Sequence, residues 1–169
     1  TPLPLKQAYR EMNAILPMSR RTHVPVSFHE IRHIFNVAQV IAIAKSVRLL
    51  SFDGDKTLYS DRSSLSEDSP LVEPLLRLLR QGTSVALVTA VGSPVPEPFE
   101  ERLKGLLARL KNEEKEVYER LFVVGGQCNY LFRCEGDRFN VVEDELWKDP
   151  LVSSWSRKDV DAFLDLAAE

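Results

Sequence analysis

Apolar residues recur along this chain with two different periods, and the changes between them mark the elements. After Ser27, the residues Ile31, Ile34, Phe35, Ala38, Ile41 and Ala42 fall at the three-and-four spacing of one helix face. The start of that helix is written locally. Ser27 with Glu30 three residues on forms a capping box, in which each side chain satisfies a backbone amide that the first turn leaves orphaned. Lys45 lies in the last turn, where the helix dipole favours a cation. Val47 to Phe52 is then a short run of β-branched and large apolar residues, the profile of a strand buried in a parallel sheet. It ends in Asp53-Gly54-Asp55. Pro70 to Gln81 returns to helical spacing, with Leu71, Leu75, Leu78 and Leu79 expected on the inner face and Gly82 as the stop. Ser84 to Val88 reads as a second buried strand ending at Thr89.

Strand, loop, helix and strand in that order favour parallel neighbours in an α/β sheet. Beyond them, Ser93 to Pro98 is a stiff proline-rich connector. An amphipathic helix follows from Phe99 to Lys111, and a shorter one near Val117. Leu121 to Val124 is a further strand, closed by Gly125-Gly126. Tyr130 to Cys134 and Phe139 to Val142 flank Glu135-Gly136-Asp137, which predicts a hairpin. A last helix runs from Lys158 to Ala168 after Ser156. The opening segment, Thr1 to Met18, mixes prolines with a short helical pattern at Ala8, Met12, Ile15 and Leu16.

Composition narrows the function classes without choosing one. At 169 residues the chain can build one domain with a core, or one domain and part of another. Its 44% hydrophobic and 28% charged residues are those of a globular protein. A net charge of −3 argues against a dominant electrostatic grip on nucleic acid or an anionic membrane. The longest apolar run, Val37 to Ala44 with Gln39 inside it, is too short to span a bilayer. No charged-then-apolar segment opens the stretch that begins at Thr1, and since Thr1 is not an initiator residue, further residues upstream are expected. On one predicted strand, Cys128 and Cys134 would lie roughly 20 Å apart at about 3.3 Å per residue, too far for a disulfide unless the chain doubles back. Free, buried thiols of a cytosolic protein are expected.

The candidate chemistry concentrates in Asp53-Gly54-Asp55-Lys56-Thr57. Two carboxylates with one residue between them leave the carboxyl end of an apolar strand, the edge at which open α/β sheets bind ligands. Gly54 lets the backbone turn between them. One carboxylate can attack phosphorus as a nucleophile, and the other can protonate the leaving oxygen and later activate water. Two acidic groups beside a phosphate ester call for a hard cation such as Mg²⁺. Thr89 stands where its hydroxyl can hold a phosphoryl oxygen. An Asp-Gly-Asp sequence is also common in surface turns; the strand before it, and the helix and Thr-ended strand after it, favour the catalytic reading.

In that context Asp53, Asp55 and Thr57 resemble the first motif of the haloacid dehalogenase superfamily, and Leu87-Val88-Thr89 resembles its second. Longer stretches resemble the IMP-specific 5′-nucleotidases: Arg20-Arg21-Thr22-His23-Val24-Pro25, Ser27-Phe28-His29-Glu30-Ile31-Arg32-His33, Phe52 to Tyr59, Leu87-Val88-Thr89-Ala90, and Gly125-Gly126-Gln127-Cys128-Asn129-Tyr130-Leu131-Phe132. The resemblance implies a Rossmann-like core with a parallel sheet and part of an α+β cap. Its expected divisions are an N-terminal helical segment over 1–46 with effector or oligomerisation roles, a core over 47–92, and a partial cap over 93–169. Asp53 would be nucleophile and Mg²⁺ ligand. Asp55 would be acid/base and would bind Mg²⁺ through its backbone carbonyl. Asp61 and Thr89 would contact the substrate, and His33 would belong to an ATP effector site. The family implies a cytoplasmic tetramer that hydrolyses inosine monophosphate (IMP) to inosine and phosphate.

Two features of that pattern are not found. The superfamily uses a later lysine that steadies the phospho-intermediate and a later acid that completes the metal shell. Glu143-Asp144-Glu145, Lys148 and Lys158 fit those roles poorly, so a fragment of a longer enzyme is expected. His29 and His33 share a helix face, but no third ligand joins them for zinc. Arg20, Arg21 and His33 could instead engage phosphate. Asn129 and Tyr130 either face a purine or belong to a core strand. The rival functions are hydrolysis of another phosphomonoester by the same fold, and nucleotide binding without turnover.

Overall fold

The computed structural model describes residues 2–60 and 63–168, which form two compact units, Thr1–Val47 and Arg48–Glu169. In the first, α1 (Leu5–Ile15) and α2 (Phe28–Ile43) pack on each other. The capping box is present: Glu30 N–H donates to Ser27 Oγ at 3.2 Å, and Ser27 N–H donates to Glu30 Oε2 at 2.8 Å. Arg21 adds an ion pair to Glu30 at 2.6 Å. Burial in this unit is slight, limited to Ala8, Met12, Met18 and Ala38 among the apolar residues.

The second unit is a five-stranded sheet in the order β1 (Leu49–Asp53), β2 (Ser84–Val88), β3 (Leu121–Gly125), β4 (Tyr130–Glu135) and β5 (Arg138–Val141). The pairs β1–β2 and β2–β3 are parallel. The pairs β3–β4 and β4–β5 are antiparallel, and the latter turns through Gly136 at φ +70°. The sheet is therefore mixed. The three strands after residue 93, expected within a cap, lie in the same sheet as β1 and β2. Parallel β3 docks on β2 and carries the hairpin with it.

Helices α3 (Val72–Arg80) and α4 (Glu97–Leu110) supply the apolar cover. Val72, Leu75, Leu76 and Leu79 point inward from α3, a strict i, i+3, i+4, i+7 set. Leu71, expected on that face, is the N-cap and is 36% exposed, because the helix begins one residue later. From α4 come Leu103, Leu106, Leu107 and Leu110; with Val85, Leu87, Leu121, Val123, Phe132, Cys134 and Phe139 they make one core. Phe99 and Phe132 meet at 4.8 Å between ring centroids. Pro96 and Pro98 do not form a free connector: Pro96 is the N-cap and Pro98 sits in the first turn of α4, where a missing N–H costs nothing. Three further helices are α5 (Lys115–Tyr118), α6 (Pro150–Ser153) and α7 (Arg157–Ala168).

Two expectations about burial change. β1 is an edge strand with alternate residues exposed, Leu49 by 58%, because among the described residues only β2 pairs with it. Both cysteines are free, but Cys128 is exposed and only Cys134 is buried. Burial, with nearby carboxylates, pushes the Cys134 thiol up to about 12, so it packs as an apolar group. No helix among the described residues is long and apolar enough to cross a membrane.

Candidate active site at the carboxyl ends of β1 and β2

Parallel pairing brings the carboxyl ends of β1 and β2 side by side, with Asp53 in register with Val88. The chain then closes a tight loop. Leu58 N–H donates to the Gly54 carbonyl at 3.0 Å, and Lys56 N–H donates to the Tyr59 carbonyl at 2.8 Å. Gly54 N–H reaches across to the Val88 carbonyl at 2.9 Å and fixes the loop to β2. A Cβ at residue 54 would lie 2.5 Å from the Tyr59 hydroxyl oxygen, so any other residue there requires the Tyr59 side chain to shift.

The two aspartates emerge into different surroundings. Asp53 is exposed, and its carboxylate accepts from the Thr57 hydroxyl at 3.0 Å. Asp55 is partly buried and has both oxygens engaged. Oδ2 accepts from Thr89 Oγ1 at 2.8 Å, and Oδ1 accepts from Arg102 Nη1 at 2.5 Å. Thr89 is 4% exposed, and its Oγ1 also accepts from Val91 N–H at 3.2 Å. A cavity of about 440 Å³ lined by Lys56, Thr57, Tyr59 and Ser60 opens beside the loop.

Arg102 was not visible in the sequence pattern. It sits on α4, 47 residues after Asp55, and reaches the loop because α4 docks unusually closely on the segment at Leu65. Leu65 N–H donates to the Arg102 carbonyl at 2.7 Å, and Gly105 N–H donates to the Leu65 carbonyl at 3.0 Å. A Cβ at Gly105 would lie 2.2 Å from the backbone of Ser66 and Glu67. That glycine, one turn from Arg102, is the only local trace of the contact. The Arg102 guanidinium also lies 5.9 Å from the Tyr59 ring centroid. Burial pushes the Tyr59 hydroxyl above its ordinary range, the Asp55 charge adds to this, and Arg102 opposes it. Tyr59 is thus a neutral hydrogen-bond donor at neutral pH.

The residues present suit a hard cation in part. Mg²⁺ uses one or two carboxylates and fills the rest of its octahedron with water and substrate oxygens. Asp53 offers a carboxylate. With both side-chain oxygens of Asp55 engaged, its backbone carbonyl is the group left to offer, and it accepts no backbone hydrogen bond among the described residues. No cluster of three or more His, Cys, Asp or Glu ligands occurs among the described residues. The remaining expected positions fall as follows. Asp61 lies outside the described residues. His33 and His29 are exposed on α2 in the other unit. Arg21, a candidate for phosphate, is already paired with Glu30. Tyr130 packs against the core, which favours the core-strand alternative for its ring.

Comparison with known proteins bears on this geometry. The family model described as IMP-specific 5′-nucleotidase matches residues 1–169. An IMP-specific 5′-nucleotidase 1 from Eremothecium gossypii is 43% identical over 99% of this chain and 41% of its own length. Its counterpart from Saccharomyces cerevisiae is 37% identical over 99% of this chain and 41% of its own length. The chain thus spans about two fifths of the curated relatives it matches. An IMP-bound, N-terminally truncated IMP-nucleotidase from Plasmodium falciparum superposes with a TM-score of 0.74 at 30% identity, covering 86% of this chain and 40% of that one. An ATP-bound structure of the Plasmodium falciparum enzyme gives 0.72 at 30% identity, over 86% and 35%. A match along its whole length and this level of identity have one meaning: the chain belongs to the IMP-specific 5′-nucleotidase family.

Proposed function

We propose that this chain carries the nucleophile end of an IMP 5′-phosphohydrolase active site, with Asp53 as nucleophile and Asp55 as acid/base. The observation that carries the reading is the Asp55–Thr89 hydrogen bond between the ends of β1 and β2, on the rim where Asp53 stands exposed. Three polar groups of the expected set share one ligand-facing edge.

In the first half-reaction an Asp53 oxygen bonds to phosphorus and the bond from phosphorus to the ribose 5′ oxygen breaks. Asp55 delivers a proton to that oxygen, and inosine leaves. In the second, Asp55 takes a proton from water as the water oxygen attacks phosphorus, and phosphate departs with Asp53 regenerated. Asp53 and the Asp55 backbone carbonyl would hold Mg²⁺, which would supply charge neutralisation for the transferring phosphoryl group. Since both Asp55 oxygens are held, its acid role requires Arg102 and Thr89 to give way to substrate. Thr89 then turns its hydroxyl to a phosphoryl oxygen, and Asp61 completes the contacts to substrate. The lysine and acid that close such a site are expected from outside these residues.

The same family membership supports a cytoplasmic homotetramer with ATP as effector at His33. An ATP-bound relative supports the effector. The decisive experiment is steady-state release of phosphate from IMP by the full-length protein and its Asp53→Asn variant. A loss of at least about a thousandfold in kcat is expected, roughly 4 kcal/mol of barrier. Activity within about tenfold, roughly 1.4 kcal/mol, removes Asp53 from the nucleophile role. Hydrolysis of IMP no faster than of p-nitrophenyl phosphate moves the substrate to another phosphomonoester.

A further inference from the structure

The Asp55 carboxylate fills a clamp made of two donors, each fixed from behind. Thr89 is the first. It is buried, its hydroxyl donates to Oδ2 at 2.8 Å, and Val91 N–H holds the same hydroxyl oxygen at 3.2 Å. Arg102 is the second, donating from Nη1 to Oδ1. Its backbone is pinned where α4 meets the Leu65 segment, an approach that Gly105 permits. The Tyr59 ring, with its centroid 5.9 Å away, gives the guanidinium a face to lie against.

This clamp suits a stronger anion than the one it holds. Because Thr89 occupies Oδ2, Arg102 grips Asp55 through a single oxygen and cannot make its two-pronged pair with the carboxylate. The pair is only partly shielded, with the Asp55 and Arg102 side chains 25% and 23% exposed. A cavity of about 470 Å³ adjoins Arg102, with Ser63, Ser64 and Glu101 among its other walls, so the guanidinium has room to turn. Among the described residues Arg102 is the sole cation paired with either rim aspartate. It belongs to none of the stretches that carry the family resemblance.

We infer that Arg102 is a switch residue: an arriving phosphate monoester takes over the Thr89–Arg102 clamp, and only then is Asp55 released for proton transfer. The inference rests on the proposed reading of this rim as the phosphate end of the site. Carboxylate and phosphate both present two oxygens on one central atom, so one can replace the other between the same donors. The phosphate dianion carries more charge than the carboxylate, and Arg102 can engage it with two N–H groups. Each hydrogen bond is exchanged and none is abandoned. The Thr89 hydroxyl and the Arg102 N–H groups pass from Asp55 to phosphoryl oxygens, and the freed carboxylate turns to the ribose 5′ oxygen. Without phosphate Asp55 stays engaged, so the acid/base group acts only when substrate is in place.

The test is calorimetric binding of inorganic phosphate, with Mg²⁺ present, to the full-length protein and its variants, each checked for folding by circular dichroism. Arg102→Ala should weaken phosphate binding by about tenfold or more, the loss of a charge-assisted hydrogen bond. Arg102→Lys should weaken it less, since an ammonium still pairs as a point charge. Asp55→Asn should tighten it by about threefold or more, because the clamp no longer holds a competing anion, and adding Arg102→Ala should abolish that gain. With IMP, the Arg102→Ala loss should fall in KM more than in kcat. Phosphate affinity within about twofold of wild type in folded Arg102→Ala overturns the inference, as does a gain in Asp55→Asn that survives undiminished in the double variant. Asp55→Asn keeps Arg102 in place, so an unaltered or weaker phosphate affinity there overturns it even where Arg102→Ala does not fold. Retained IMP turnover in Asp53→Asn would instead break the catalytic reading, and phosphate binding is measured without turnover, so the two failures stay separate.

Discussion

The two units of this chain use similar proportions of apolar residues to different ends. In Arg48–Glu169 they converge: α3 and α4 close over β2, β3 and β4, and Leu76, Leu106, Leu110, Leu121 and Phe132 are fully buried. In Thr1–Val47 the helices pack on each other yet leave Phe28 74% and Val40 62% exposed. One unit is held by burial. The other has strong local signals, such as the Ser27–Glu30 box and the Arg21 ion pair, and little core. The aspartate rim stands on the first kind of scaffold, where a loop can be held to within a hydrogen bond by packing behind it.

The sharpest way to break that contrast is Leu106→Ala. Full burial predicts a loss of about 2–5 kcal/mol in chemical denaturation; a cost under about 1 kcal/mol would mean the sheet unit is loosely packed. Next comes the cap. Ser27→Ala should cost about 1 kcal/mol of α2 stability, read as helical circular dichroism. Glu30 belongs to the same test. Hydrogen bonds from Arg21 first, and from Ser27, lower its carboxyl from 4.5 to about 2. A depressed folded value stabilises above the unfolded one and is lost on acidification. Helical signal should therefore fall between about pH 4.5 and pH 2, and Glu30→Gln should flatten that window; an identical acid profile in the variant would detach Glu30 from the cap. Smallest is Val40→Ala, expected within about 0.5 kcal/mol as an exposed site. A loss comparable to that of Leu106→Ala would show that this face is covered in solution.

Where a feature depended on residues close in sequence, it was legible. The capping box of α2, the Gly136 hairpin and the strands at Ser84–Val88 and Leu121–Gly125 follow from patterns of two to eight residues. The Asp53-Gly54-Asp55 loop was legible for the same reason. Burial was less so, because an apolar run cannot state how many neighbours its strand will have: β1 reads as an interior strand and lies on an edge. Leu71 shows the same limit on a helix: it falls at the N-cap, ahead of the first helical residue, and so lies off the inner face that Leu75 and Leu79 share.

By itself, then, the sequence determined the local conformations, the α/β order and the carboxylate pair, since these are set by backbone preference and by periodicity along the chain. Tertiary structure decided which groups meet those carboxylates. Arg102 reaches Asp55 only because Gly105 lets α4 lie against the backbone at Ser66, and Trp147 shares a cavity with Cys128 only because of how the chain folds back after β5. Contacts between distant residues depend on the packing of whole elements, and no short stretch of sequence encodes that packing alone.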